Sequence, residues 1–206
     1  MSHDGEAIVL VHGLWMKPWT FFAFKRYFMA KGYHVYRFGY KTTKQEINKS
    51  SDQLAAFVNS RPQEVVHLLG HSMGGILSVR TAENIRKKGK IALLASPING
   101  SQVAKKMAKS SWQKRLLHWA IEPLTHGVES VKTNRSCQMI MGDWPIGIGR
   151  LVYHFDEPSD GTVAVSETQA DWLDKHHVIN TNHLGILRNK QAMDLTWQFL
   201  SKEQNE

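Results

Sequence analysis

Residues 64–86 of this chain can be built in very few ways. Glu64-Val65-Val66-His67-Leu68-Leu69 is a β-branched and apolar run that reads as a buried strand, and Ile76 to Arg86 reads as a helix. Between them stands Gly70-His71-Ser72-Met73-Gly74-Gly75, so the strand must become a helix within a few residues around one serine. A turn that tight leaves no room for Cβ atoms two residues before and two residues after Ser72, which accounts for Gly70 and Gly74. It lifts the Ser72 hydroxyl clear of the sheet, at the start of a helix whose free N–H groups and dipole favour developing negative charge.

The same alternation of strand and helix extends in both directions. Ala7 to Val11 is a continuous apolar strand ending at His12-Gly13-Leu14-Trp15. Thr20 to Phe28 follows as an amphipathic helix with Phe21, Phe24, Lys25 and Phe28 at spacings of three and four, and Gly32 caps it. Tyr33 to Phe38 alternates like a strand, about Ile47 to Asn59 forms the next helix, and Ile91 to Ala95 is the strand after the serine turn. This order predicts an α/β fold with a mostly parallel sheet and helices on both faces. Gln138 to Met141 and about Lys175 to Asn180 are further strands, and a helix from about Lys190 to Leu200 closes the chain.

One region departs from the alternation. Val103, Ala104, Met107 and Ala108 form one helical stripe opposite Lys105, Lys106 and Lys109, and Trp112, Leu116, Trp119 and Ala120 form a second. This pair reads as a helical insertion over about 101–135 in an otherwise single 1–206 domain. No internal repeat, low-complexity segment or linker interrupts the chain.

Composition narrows the function classes. With 42% hydrophobic residues but no long apolar run, the chain reads as a globular domain without a membrane span. No signal-peptide core is visible, and Cys137, the only cysteine, permits no intrachain disulfide, so a cytoplasmic setting is expected. The net charge of +8 is read mainly as a solvated face. No nucleic-acid motif, phosphate-binding glycine loop or metal-ligand spacing accompanies it, so no cofactor, metal or nucleic-acid partner is expected.

A serine hydroxyl becomes a nucleophile when a base takes its proton, and a third group must orient that base. His183 lies in Thr181-Asn182-His183-Leu184-Gly185, after the last strand and before the last helix. Parallel strands bring all their carboxyl ends to one edge, so His183 shares that edge with Ser72. For the acid, Asp160 in Ser159-Asp160-Gly161 lies on the same edge and close in chain order to the histidine strand, with Asp143 as the main rival and Asp156 and Glu157 behind it. An oxyanion formed at Ser72 needs two backbone donors. Met73 N–H follows the serine directly. Gly13 lets the first loop approach closely and offers Leu14 N–H, with Trp15 next.

Val11-His12-Gly13-Leu14, Gly70 to Gly75, Ser159-Asp160-Gly161-Thr162-Val163 and Asn182-His183-Leu184-Gly185-Ile186-Leu187 together resemble the signature segments of small bacterial lipases and esterases of the α/β-hydrolase superfamily. They also resemble the GPI inositol-deacylase and palmitoyl-thioesterase branch. The resemblance covers about residues 7–200, in the expected order. It implies an α/β-hydrolase fold with a lid-like insertion, a triad of Ser72, Asp160 and His183, and an oxyanion hole at Leu14 and Met73. The expected activity is hydrolysis of carboxylic esters with an apolar acyl chain through an acyl-enzyme. Acyl transfer or thioester hydrolysis by the same triad is the alternative, and non-catalytic binding at a membrane surface is a third.

Trp15, Trp112 and Trp119 are the expected substrate-binding residues, the last two as lid lining with Leu116, against the plainer reading of core packing. Trp19, Phe21 and Phe22 are assigned to the core. Aromatics opposite lysines on the inserted helices also suit peripheral contact with an anionic membrane. Oligomeric state is left open.

Overall fold

Six parallel strands form the sheet: β1 (Glu6–Val11), β2 (His34–Phe38), β3 (Val65–His71), β4 (Ile91–Leu94), β5 (Cys137–Gly142) and β6 (Lys175–Ile179). Their spatial order is β2-β1-β3-β4-β5-β6, and every neighbouring pair is parallel. The computed structural model describes residues 3, 5–128, 131 and 133–202.

The continuous apolar runs follow from burial on both faces. On β1, Val9 and Val11 pack with Leu68 of β3 and with Leu54 and Val58 of α2 (Ile47–Asn59), while Ile8 and Leu10 face Phe24 and Phe28 of α1 (Phe22–Ala30). The first face is completed by α3 (Met73–Thr81) and three short helices, α4 (Gln102–Ala108), α5 (Ser111–Leu117) and α6 (Ile121–His126). The second face is completed by α7 (Lys190–Leu200), through Ala192, Met193, Phe199 and Leu200. The expected α/β architecture with helices on both faces is what the chain adopts.

Differences from the sequence reading sit at element ends and in the inserted region. The helix read from Ile76 starts at Met73, directly after the serine, and ends at Thr81, followed by a 3-10 turn over Ala82–Asn84. Two glycines in its first turn hide that start, because glycine is a poor helix former. A 3-10 turn over Pro18–Phe21 takes the place of the first turn expected for α1. Of the three aromatics assigned there to the core, Phe21 is fully buried whereas Trp19 and Phe22 are exposed.

The stripe of Trp112, Leu116 and Trp119 is also corrected. It does not face the protein. Helix α5 ends at Leu117, His118 takes a left-handed φ of 46°, and a 3-10 turn over His118–Ala120 follows. That break buries Leu117 and Ala120 and leaves Trp112, Leu116 and Trp119 in solvent. Among the described residues no helix is long and apolar enough to cross a membrane.

Candidate active site

The serine turn has the geometry its glycines require. Ser72 holds φ 54° and ψ −126°, a conformation that side chains seldom adopt, between the end of β3 and the first residue of α3. Its N–H is held by Leu94 O of β4 at 2.9 Å, and Gly75 N–H closes the turn on Ser72 O at 2.9 Å. A Cβ on Gly70 would come within 2.5 Å of Gly75 Cα, and one on Gly74 would overlap Val11 O of β1. A Cβ on Gly13 would stand 3.1 Å from Ser72 Cβ, so the loop after β1 lies directly against the serine.

His183 and Asp160 meet on the same sheet edge. His183 Nδ1–H donates to Asp160 Oδ2 at 2.6 Å, and His183 N–H donates to Asp160 O at 3.1 Å. The other carboxylate oxygen, Oδ1, accepts the N–H groups of Thr162 and Val163 at 2.9 and 2.8 Å. Asp160 is fully buried and its carboxylate accepts three hydrogen bonds, so both its orientation and that of the imidazole are fixed. The rival acids are elsewhere: Asp143 is exposed, Asp156 stands 3.5 Å from exposed His154, and Glu157 holds Ser166.

His71, the residue before the serine, has a part that its place in the turn motif does not announce. It is fully buried, its Nε2–H donates to His183 O at 2.9 Å, and its ring lies 4.7 Å from the His183 ring. Its Nδ1 has no hydrogen-bond partner and is turned to Gly13, where a Cβ would stand 3.1 Å away. Burial holds its pKa well below the ordinary histidine value, and the neighbouring His183 adds to that. His12 is likewise lowered by burial. Both rings are therefore neutral near pH 7 and add no positive charge beside His183.

Of the two expected oxyanion donors, Met73 N–H opens α3, where a helix has no acceptor of its own for the first amides. On the loop after β1, Trp15 N–H is committed to Thr42 Oγ1 at 3.3 Å, which leaves Leu14 N–H as the neighbouring amide for that role.

Ser72 and His183 open together onto a cavity of about 410 Å³. Leu14, Trp15 and Met16 form one wall, and Val103, Ala104, Met107, Leu117 and Leu124 of the inserted helices form another. A third comes from residues 146–152, with Ile146, Ile148, Leu151 and Val152. Its isolated isoleucines and leucine among glycines carry no helical or strand period that could have marked it. Trp15 lines the cavity. Trp112 and Trp119 do not, and their place on the insertion's inner side is taken by Leu117.

Residues 8–187 match the Alpha/beta hydrolase family. The chain belongs to this family. No curated protein matches the sequence. Among solved structures, this α/β hydrolase is similar to the lipase BlEst2 of Bacillus licheniformis in its mature form, with a TM-score of 0.80 and 17% identity over 98% of this chain and 94% of the other. It is also similar to the metagenomic carboxyl esterase MGS0156, with a TM-score of 0.70 and 16% identity over 90% and 67% of the two chains. A bromoperoxidase of Bacillus anthracis shares the fold as well, with a TM-score of 0.66 and 14% identity over 98% and 94%. At such identities the likeness speaks for the fold, and the reaction must be argued from the site. Among the described residues no three His, Cys, Asp or Glu side chains converge in a way that could hold a metal ion.

Proposed function

We propose that this α/β hydrolase cleaves carboxylic esters with an apolar acyl group, using Ser72 as nucleophile, His183 as base and Asp160 as the group that orients it. The observation that carries this reading is the buried Asp160–His183 pair, whose histidine opens beside the strained Ser72 onto a cavity with mostly apolar walls. His183 Nε2 takes the Ser72 proton as Oγ attacks the ester carbon. The oxyanion is met by Met73 N–H and Leu14 N–H. Collapse of the tetrahedral intermediate expels the alcohol, which receives its proton from His183, and leaves an acyl-Ser72. Water then attacks the acyl-enzyme by the same route in reverse. Each oxyanion donor is expected to contribute about 3 to 4 kcal/mol to transition-state stabilisation.

Wild-type protein should hydrolyse p-nitrophenyl butyrate and take up a fluorophosphonate probe at one serine. Ser72→Ala should lose both. Turnover that survives in Ser72→Ala would remove the assignment. Competition with alcohol and thiol acceptors distinguishes hydrolysis from acyl transfer by the products formed.

A further inference from the structure

The exposed aromatic stripe of the inserted helices calls for an explanation other than cavity lining. Trp112 and Trp119 are 65% and 44% exposed, and Leu116 lies exposed between them. The stripe adjoins the mouth of the cavity: Trp119 N–H points to Thr43 O at 3.5 Å, and the preceding Thr42 holds Trp15 N–H. Trp15 belongs to the mouth itself. So do Ile146, Ile148, Leu151 and Leu184, all cavity-lining and all exposed, Leu151 to 87%. Exposed apolar side chains thus stand both at the cavity mouth and on the adjoining stripe, a grouping that is uncommon on a surface that meets only water.

The charge carried by the segments around that face is one-sided. Segments 12–22, 39–45, 101–121, 144–155 and 181–189, which build the mouth and the stripe, hold ten Lys and Arg and none of the chain's eighteen Asp and Glu. Lys17, Lys44, Lys109, Lys114, Arg150 and Arg188 are all exposed there. The flanking acids Glu46, Glu122, Asp143 and Asp156 lie just outside these segments, and Glu122 is paired with Arg80 at 2.9 Å.

We propose that this face docks on an anionic membrane surface, with the cavity mouth turned to the lipid. Tryptophans and aliphatic side chains enter the headgroup boundary, and the surrounding cations meet acidic headgroups. Charge complementarity argues against a second copy of the chain, because a two-fold contact through this face would oppose two cationic rims. Docking rests on the proposed ester hydrolysis only for what it delivers, an acyl chain drawn from the bilayer into the cavity. The contact itself does not need Ser72.

The test is co-sedimentation of the Ser72→Ala protein, which cannot consume the lipid, with phosphatidylcholine vesicles with and without phosphatidylglycerol. Binding is expected only with phosphatidylglycerol, with a blue shift of tryptophan fluorescence and strong weakening by salt. Near an anionic leaflet each cation is worth about fivefold in affinity. Lys109→Glu with Lys114→Glu should therefore weaken binding more than tenfold, and Trp112→Ser with Leu116→Ser should abolish the blue shift. With Ser72 restored, both pairs should keep the melting temperature and the turnover of soluble p-nitrophenyl acetate. Equal binding to phosphatidylcholine alone, no binding to either vesicle, or a solution dimer dissolved by Trp112→Ser would overturn the proposal. If Ser72→Ala leaves ester turnover unchanged, the hydrolase reading fails while vesicle binding is judged separately.

Discussion

The segments after five strands bring unusual single residues to one edge of the sheet. Ser72 and Ala95 hold positive φ at the ends of β3 and β4, Trp15 does so in the loop after β1, and Asp160 and His183 pair beside them. Such conformations persist only where their neighbours over-determine them, as Leu94 O does for the Ser72 N–H. His71 links three segments of this edge at once: it precedes Ser72, presses on Gly13 and donates to His183 O. In the proposed mechanism it would act as a positioning residue for the His183 loop. His71→Phe keeps an aromatic ring but removes the donor, leaving a buried carbonyl without a partner, a loss of about 1 to 3 kcal/mol. The expected result is a fall in kcat of roughly tenfold or more with KM little changed. Steady-state kinetics on a soluble ester checks it, and an unaltered kcat would assign His71 to packing alone.

At the scale of elements, the Glu167 carboxyl group ties the inserted helices to the loop that carries Asp160. Glu167 Oε1 accepts Gln102 N–H at the start of α4 at 2.6 Å, and Oε2 accepts Ala164 N–H at 3.1 Å. Glu167 is almost fully buried, and burial pushes its pKa from 4.5 up to about 7 despite those two donors. The folded protein therefore binds this proton more tightly than the unfolded chain does. Below about pH 4.5 both states carry it. Between about 4.5 and 7 the unfolded chain releases it first, so stability falls as pH rises, by on the order of 3 kcal/mol across the window, and levels off above. Melting curves of wild type and Glu167→Gln across that range should differ by an amount that changes with pH inside the window and is constant outside it. Parallel curves would place no shifted carboxyl there.

The cavity belongs to the whole molecule. Its walls come from the loop after β1, the helices between β4 and β5, the segment after β5 and the loop after β6, joined because parallel strands deliver all four to one edge. Its polar lining is confined to a few groups, chiefly Ser72, His71 and His183 at the base with Ser101, Thr162 and Asn182 around them. An acyl chain seated there exchanges water for apolar contact at about 0.8 kcal/mol per methylene, or roughly fourfold in kcat/KM. A series of p-nitrophenyl esters should rise by about that factor per added methylene and level off once the cavity is filled. A flat series from acetate onward would show that the acyl group does not occupy this space.

The local features were legible in the residues themselves. Steric crowding fixes Gly70 and Gly74 around Ser72, and continuous apolar runs mark the strands of a sheet buried on both faces, because each depends on neighbours within a few residues. The order of the serine, acid and histidine segments also reads directly from the chain. What the sequence left open depends on groups far apart along it. Asp143 follows a strand and Asp160 lies in a turn, both expected at the same edge, and only the packed sheet edge buries Asp160 against His183 while leaving Asp143 exposed. The helical spacing of Trp112, Leu116 and Trp119 is real, but a spacing says which residues share a face and not where that face points. The left-handed His118 and the burial of Leu117 turn it to solvent, and that rotation is set by tertiary packing. The Ile146 to Val152 wall had no periodicity to announce it, since its shape is imposed by Gly161 and Thr162, against which Gly147 and Gly149 lie too close for a side chain.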